Sequence, residues 1–208
     1  MVKRAFFVTF EGIDGSGKST QARLLADRLR ELGLDVVLTR EPGGSPGAEE
    51  IRRLLVQGAP HRWSPETEIL LFTAARRDHL ENTIDPALAA GKIVISDRYA
   101  DSTRVYQGVA RADLGGLVDQ LHHLMIAREP DLTLVIDMDP AQALERGLGR
   151  NSGEDRFEDF GLGFQQALRQ GFLALARRAA PRTVLIDGNR TPEVIAAEIA
   201  GIFDRATK

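Results

Sequence analysis

Residues 12 to 19 read Gly-Ile-Asp-Gly-Ser-Gly-Lys-Ser, with two glycines bracketing four residues ahead of a Lys-Ser pair. Glycine lets the backbone curl so that successive N–H groups converge on phosphate oxygens. A helix opening at the same point adds its positive end to that anion site. Lys18 is then placed to bridge β- and γ-phosphates, and the Ser19 hydroxyl to ligate Mg2+. Gly12, Ile13, Asp14, Gly15, Ser16, Gly17, Lys18, Ser19 and Thr20 are therefore the expected cradle of an ATP- or GTP-type triphosphate. The fate of the γ-phosphate is not written in this loop. No guanine-reading Asn-Lys-x-Asp stretch is present, nor the His-Arg-Asp of protein kinases. A small-molecule kinase, with a second site for its acceptor, and an ATPase that drives a partner both remain open.

Three clusters fit an acceptor site. "SDRY" puts Asp97 and Arg98 at the end of an apolar run, where open α/β sheets bind ligands. "LLFTAARR" sets Phe72 and Arg76 one helical turn apart, a ring and a guanidinium that suit a flat heterocycle. "TREPGGSPGAEEIRR" supplies Arg40, Glu41 and Arg52 around a tight turn. Each also has a plainer reading. Phe72 fits a core position with Arg76 snorkelling to water, Asp97 and Arg98 a surface pair, and Arg52 a solvated helix face.

The elements that must position these residues are legible. "AFFVTF", "DVVLTR", "KIVISD", "LTLVID" and "TVLID" are apolar nearly throughout, as parallel strands buried on both faces are. Helical patterns lie between them. A helix is expected from about Lys18 to Leu32, and Ser64-Pro65-Glu66, Asp139-Pro140 and Thr191-Pro192-Glu193 each place a capping side chain before a proline. The alternation predicts an α/β fold with a parallel sheet and helices on both sides. "RGLGRNSGEDRFED", residues 146 to 159, is glycine-rich and charged, and reads as an exposed mobile loop between two helices.

The 208 residues suit one domain, and cysteine is absent, which excludes disulfides and thiolate chemistry. A net charge of −3 gives no reason to expect a nucleic-acid surface. No apolar run approaches the roughly 20 residues that span a bilayer. A soluble cytoplasmic protein, without nucleic acid or membrane as a partner, is the expectation.

"FEGIDGSGKST", "TREPGG", "LLFTAARRDH", "DRYADSTRVYQG", "EPDLTLVID" and "DRFE" occur here in the order and spacing of the thymidylate kinases. The chain resembles that family from about Phe6 to its final helix, most distinctively in "TREPGG" and "DRY…YQG". The resemblance implies transfer of the γ-phosphoryl group of Mg-ATP to dTMP, giving dTDP and ADP. It implies a three-layer P-loop NTPase fold with a five-stranded parallel sheet flanked by helices, in a homodimer. Carried over by position, Phe72 stacks on thymine, Arg76 bonds its carbonyl edge and Gln107 its other polar edge, with Thr103 nearby. Glu41 belongs to the same dTMP site, Arg52 and Arg98 hold the acceptor phosphate, and Asp14 faces the sugar 3′-hydroxyl or the metal shell. Tyr106 presses against C2′, where a ribose hydroxyl would collide. Asp137 and Asp187 also end apolar strands, but the resemblance favours Asp97, with Ser19, for the magnesium. Some members carry an arginine in the P-loop where this chain has Gly15. The charged loop offers Arg146, Arg150 and Arg156 instead, resembling the bacterial arrangement in which a closing lid, here at about 146–159, brings the arginine.

Overall fold

The computed structural model describes residues 5–59, 62–111, 114–148 and 161–208. Five parallel strands form one sheet: β1 (Phe6–Glu11), β2 (Val36–Arg40), β3 (Ile93–Asp97), β4 (Leu132–Asp137) and β5 (Thr183–Asp187), in the order β2-β3-β1-β4-β5. Each coincides to within a residue with one of the apolar runs.

Alternation along the strands sends side chains into two cores. Phe6, Val8 and Phe10 of β1, Ile93 and Ile95 of β3, and Leu132, Leu134 and Ile136 of β4 face one side. There they meet α1 (Lys18–Glu31) and α9 (Pro192–Ala206) through Leu25, Leu29, Ile199 and Phe203. The other side carries Phe7, Val94 and Val135. It is covered by α3 (Pro65–His79) with its continuation, α5 (Ala100–Val105), α6 (Gly115–Met125), α7 (Pro140–Leu148) and α8 (Gly161–Arg178). Sheet and two helical layers make the expected three-layer α/β architecture.

Hydroxyls as well as hydrocarbon fill the second side: fully buried Thr9 and Thr133 pair at 2.9 Å across β1 and β4, so neither is left unsatisfied. The edge strands depart from the both-faces-buried expectation. β2 is half-buried along most of its length and Leu185 of β5 is 45% exposed, because an edge strand has a neighbour on one side only.

Of the three cap signals, two operate. Ser64 accepts from the Thr67 N–H at 3.2 Å, and Asp139 Oδ1 accepts from the N–H groups of Ala141 and Gln142. Thr191 stands at the N-cap of α9 without a side-chain cap bond. Helix α3 runs on through a π-helical turn, Leu80–Ile84, into α4 (Asp85–Ala89), and α5 through a second π-turn, Tyr106–Arg111. Helix α7 persists to Leu148, so Arg146 lies in its last turn rather than in the loop after it. Leu144, Glu145 and Arg146 are good helix formers and carry the helix forward.

Candidate active site

β1 and β3 are paired with Phe10 opposite Asp97, so the glycine loop and the "DRY" turn leave the sheet side by side. The helix after β1 covers one face and the helix after β3 the other, which opens a crevice beyond these two strand ends. A cleft lies there, walled by Asp14, Lys18, Ser19, Asp97 and Arg98 at one end and by Phe72, Thr103, Tyr106 and Gln107 at the other.

The phosphate end is built from backbone. Gly12, Gly15 and Gly17 have φ of 134°, 79° and 95°, and Gly17 is the N-cap of α1 with no side-chain cap bond. The first turn of α1 carries no acidic residue, so its N–H groups are available to an anion. At Gly15 a Cβ would stand 1.9 Å from the carbonyl oxygen of Ala143 on α7. An arginine is thus sterically barred from position 15 in this chain while α7 keeps its place. Lys18 is buried and its Nζ donates to the Ile13 carbonyl at 2.6 Å. Burial, reinforced by the nearby Arg98 cation, lowers its pKa to about 8. Ser19 is exposed to the cleft, whereas Thr20, also expected in the cradle, is half-buried and is not one of the lining residues.

Asp97 has a buried carboxylate oxygen, Oδ1, without a hydrogen-bond partner, beside Lys18 and Ser19. An orphaned anionic oxygen next to a hydroxyl suits a hydrated Mg2+. Among the described residues no group of three or more acidic or histidine side chains could hold a metal by itself.

Arg98 ties the two ends together. Its backbone sits at φ 70°, in the left-handed region. Nη1 donates to Gly12 O at 3.2 Å and Ser102 Oγ at 2.9 Å, Nη2 to Asp14 Oδ1 at 2.5 Å and Tyr106 Oη at 3.1 Å. The Tyr106 hydroxyl in turn donates to Asp14 Oδ2 at 2.7 Å. Burial alone would raise the Asp14 carboxyl, but Arg98 and Lys18 override it and hold the pKa at about 2. Burial pushes the Tyr106 phenol well up, so it stays a neutral donor. Behind this group, fully buried Glu11 accepts from the Tyr99 N–H at 2.8 Å and the Ser102 hydroxyl at 2.6 Å. Burial, then the Asp101 charge, raises the Glu11 pKa to about 7.

At the far end, Phe72 on α3 presents its ring to the cleft. Arg76, one turn on, is buried at 4% exposure. Its Nε donates to Glu41 Oε2 at 2.7 Å and its Nη2 to Thr103 Oγ1 at 3.1 Å. Glu41 also meets His79 Nδ1 at 3.0 Å, and His79 Nε2 meets Thr39 Oγ1 at 2.8 Å. The second glycine of "TREPGG" is what admits this chain: a Cβ on Gly44 would lie 2.3 Å from His79 Nε2. Arg52, from α2 (Pro46–Val56), lines the cleft and donates to the Pro42 carbonyl at 2.5 Å.

The cleft therefore gathers Asp14, Gly15, Gly17, Lys18, Ser19, Glu41, Arg52, Phe72, Asp97, Arg98, Thr103, Tyr106 and Gln107. Gly12, Ile13, Ser16 and Thr20 shape the loop from behind. Arg146 stands apart, exposed, with Nη1 3.4 Å from Met138 Sδ. Arg150 and Arg156 lie outside the described residues. The other strand-end carboxylates are engaged elsewhere: Asp137 takes a bidentate pair from Arg169 at 2.6 and 2.9 Å, and Asp187 accepts from Asn189. Sequence reading missed Ser102, Pro42 and Val56 on the wall, and Glu11, Glu68 and His79 behind it. Glu68 and His79 had a signal, since with Phe72 and Arg76 they form one stripe at helical spacing. Ser102 had none.

Comparison with known proteins agrees with this geometry. A family profile described as thymidylate kinase matches residues 10–199. The thymidylate kinases of Dinoroseobacter shibae and Ruegeria pomeroyi are each 69% identical to the chain, over 199 residues (96% of both chains) and 196 residues (94% of this chain, 93% of the other). The crystal structure of thymidylate kinase from Ehrlichia chaffeensis superposes with a TM-score of 0.78 at 36% identity, covering 96% of this chain and 99% of that one. A phosphate loop, a strand-end arginine and an aromatic pocket in one cleft, together with likeness over nearly the whole length, lead to one conclusion: the chain belongs to the thymidylate kinase family.

Proposed function

We propose that the cleft is where the chain transfers the γ-phosphoryl group of ATP to dTMP, giving dTDP and ADP for dTTP synthesis. The observation that carries this reading is the continuity of the cleft from Lys18 and Ser19 to Phe72 and Gln107. Donor and acceptor can meet in it without a covalent intermediate, and the chemistry is positioning and electrostatics.

The loop from Gly12 to Thr20 cradles the triphosphate, and Lys18 neutralises charge on the migrating group. Ser19 and Asp97 hold Mg2+, which when bound offsets phosphate charge and orients the oxygens. Arg98 and Arg52 take the dTMP phosphate. All four terminal Arg98 N–H groups already have protein acceptors, so the phosphate competes with Asp14 for them. Asp14, relieved of one partner, then turns to the sugar 3′-hydroxyl or the metal's waters. Phe72 stacks on thymine, Arg76 bonds its carbonyl edge, and Gln107 meets its other polar edge with Thr103 nearby. The Tyr106 ring excludes a 2′-hydroxyl.

Gly15 leaves the phosphate loop without a transition-state cation of its own. The segment at about 146–159 acts as a lid on a single domain and supplies Arg146, Arg150 or Arg156 on closure. Helices α3 and α6 pack side by side and expose Leu70 (58%), Leu124 (74%) and Met125 (47%). Such an apolar face supports a homodimer. Among the described residues no helix is long and apolar enough to cross a membrane, which supports work in the cytoplasm.

ADP release with dTMP, dUMP, dCMP and dGMP as acceptors, paired with thermal shifts for each, tests the assignment. Turnover and stabilisation should be greatest with dTMP. Stabilisation by ATP with no response to any monophosphate would refute it.

A further inference from the structure

Gln107 is 1% exposed and lines the base end of the cleft. A primary amide can offer a ligand either its carbonyl or its NH2 group, and the two demand opposite partners. In this protein the choice is made from behind. Glu68, fully buried on α3 and not part of the wall, accepts from Gln107 Nε2 at 3.1 Å. In this pair the Glu68 oxygen is the acceptor and the amide nitrogen the donor. Turning the amide over would set oxygen against oxygen in a buried site and cost Gln107 this hydrogen bond. The nitrogen of Gln107 is thereby committed to Glu68, while Oε1 has no hydrogen bond among the described residues.

We infer that Glu68 is a positioning residue that sets the hydrogen-bond polarity of the base end, holding Gln107 with its carbonyl toward the cleft. The inference rests on the reading of this cleft as a nucleotide acceptor site. A carbonyl there accepts from a ring nitrogen that bears hydrogen, as in thymine and uracil, and repels the bare ring nitrogen of cytosine. Selectivity thus depends on a residue that never touches the base. A site built to hydrogen-bond one pattern rejects the other because its own buried group is left unpaired.

Glu68→Gln tests this with almost no change in shape. An amide at 68 can face Gln107 either way round, so the ligand becomes free to choose the orientation. kcat/KM for dCMP should rise about tenfold, while that for dTMP falls no more than about threefold and KM for ATP stays put. General structural damage would lower both substrates together. The double variant Glu68→Gln/Gln107→Glu restores a permanent acceptor at 107 and should abolish the dCMP gain. If Glu68→Gln does not fold, Glu68→Asp withdraws the carboxylate by one methylene and should shift the ratio in the same direction. A dTMP-to-dCMP ratio that stays within about twofold of wild type in the folded variant overturns the role of Glu68. Wild-type enzyme that does not prefer dTMP to dCMP overturns the reading of the cleft, and the inference with it.

Discussion

Gly15→Ala is a small change with a large expected consequence. Two terms add. The backbone at Gly15 has φ of 79°, where an L side chain is strained. The new Cβ would also lie 1.9 Å from the Ala143 carbonyl oxygen and 2.7 Å from its carbon, both on α7. Ordinary contact begins near 3.4 Å, so the loop and α7 must separate by about 1.5 Å. Backbone is the obstacle, and no side-chain rotation relieves it. Strain of this kind costs about 1 kcal/mol and overpacking a further ~1–3 kcal/mol. For a chain of this size the sum corresponds to a fall in Tm of roughly 5–15 °C. Gly33 supplies the control. Its φ is 78°, nearly identical, and a Cβ there meets nothing within 4 Å. Gly33→Ala should therefore show the strain term alone, a few degrees. Scanning calorimetry of the two variants with wild type isolates the contact with α7. Because α7 leads into the proposed lid, Gly15→Ala should also lower kcat more than it raises KM for dTMP. Equal losses of Tm in the two variants would refute the steric argument.

Three further outcomes are expected. Lys18 should give kcat/KM for ATP a descending limb above about pH 8, since the protonated form is the useful one and its folded-state pKa is lowered to that value. Turnover at saturating ATP should lack the limb, because the bound triphosphate holds the proton on, and a profile flat to about pH 9.5 would count against the assignment. Tyr106→Ala should relax discrimination between dTMP and ribothymidine monophosphate, whereas Tyr106→Phe keeps the ring and the discrimination while losing the bonds to Asp14 and Arg98. Unchanged selectivity in Tyr106→Ala, measured as the ratio of kcat/KM values, removes the steric gate. Arg150→Ala or Arg156→Ala should lower kcat on the order of 10³-fold with little change in either KM, by analogy with arginine fingers; if both keep wild-type turnover, Arg98 is the next residue to test.

What the sequence determined by itself follows from local physics. Apolar runs such as "KIVISD" became strands because a segment without a polar face must be buried on both sides. The phosphate loop was legible because its glycines, its Lys-Ser pair and the following helix are contiguous, so no distant residue decides their geometry. Ser64 and Asp139 capped their helices for the same reason. Tertiary structure decided what depends on two distant segments meeting. Strand pattern left Asp97, Asp137 and Asp187 equivalent. Packing then supplied Asp137 with Arg169 and Asp187 with Asn189, and left Asp97 with an orphaned oxygen in the cleft. Helical spacing put Phe72 and Arg76 on one face but could not say that Glu41, 35 residues earlier, would hold the Arg76 guanidinium. The bar on an arginine at Gly15 comes from Ala143, and the orientation of Gln107 from Glu68, 39 residues away. A donor's partner in a buried site is whatever the fold carries there, and desolvation makes that pairing obligatory without making it readable along the chain.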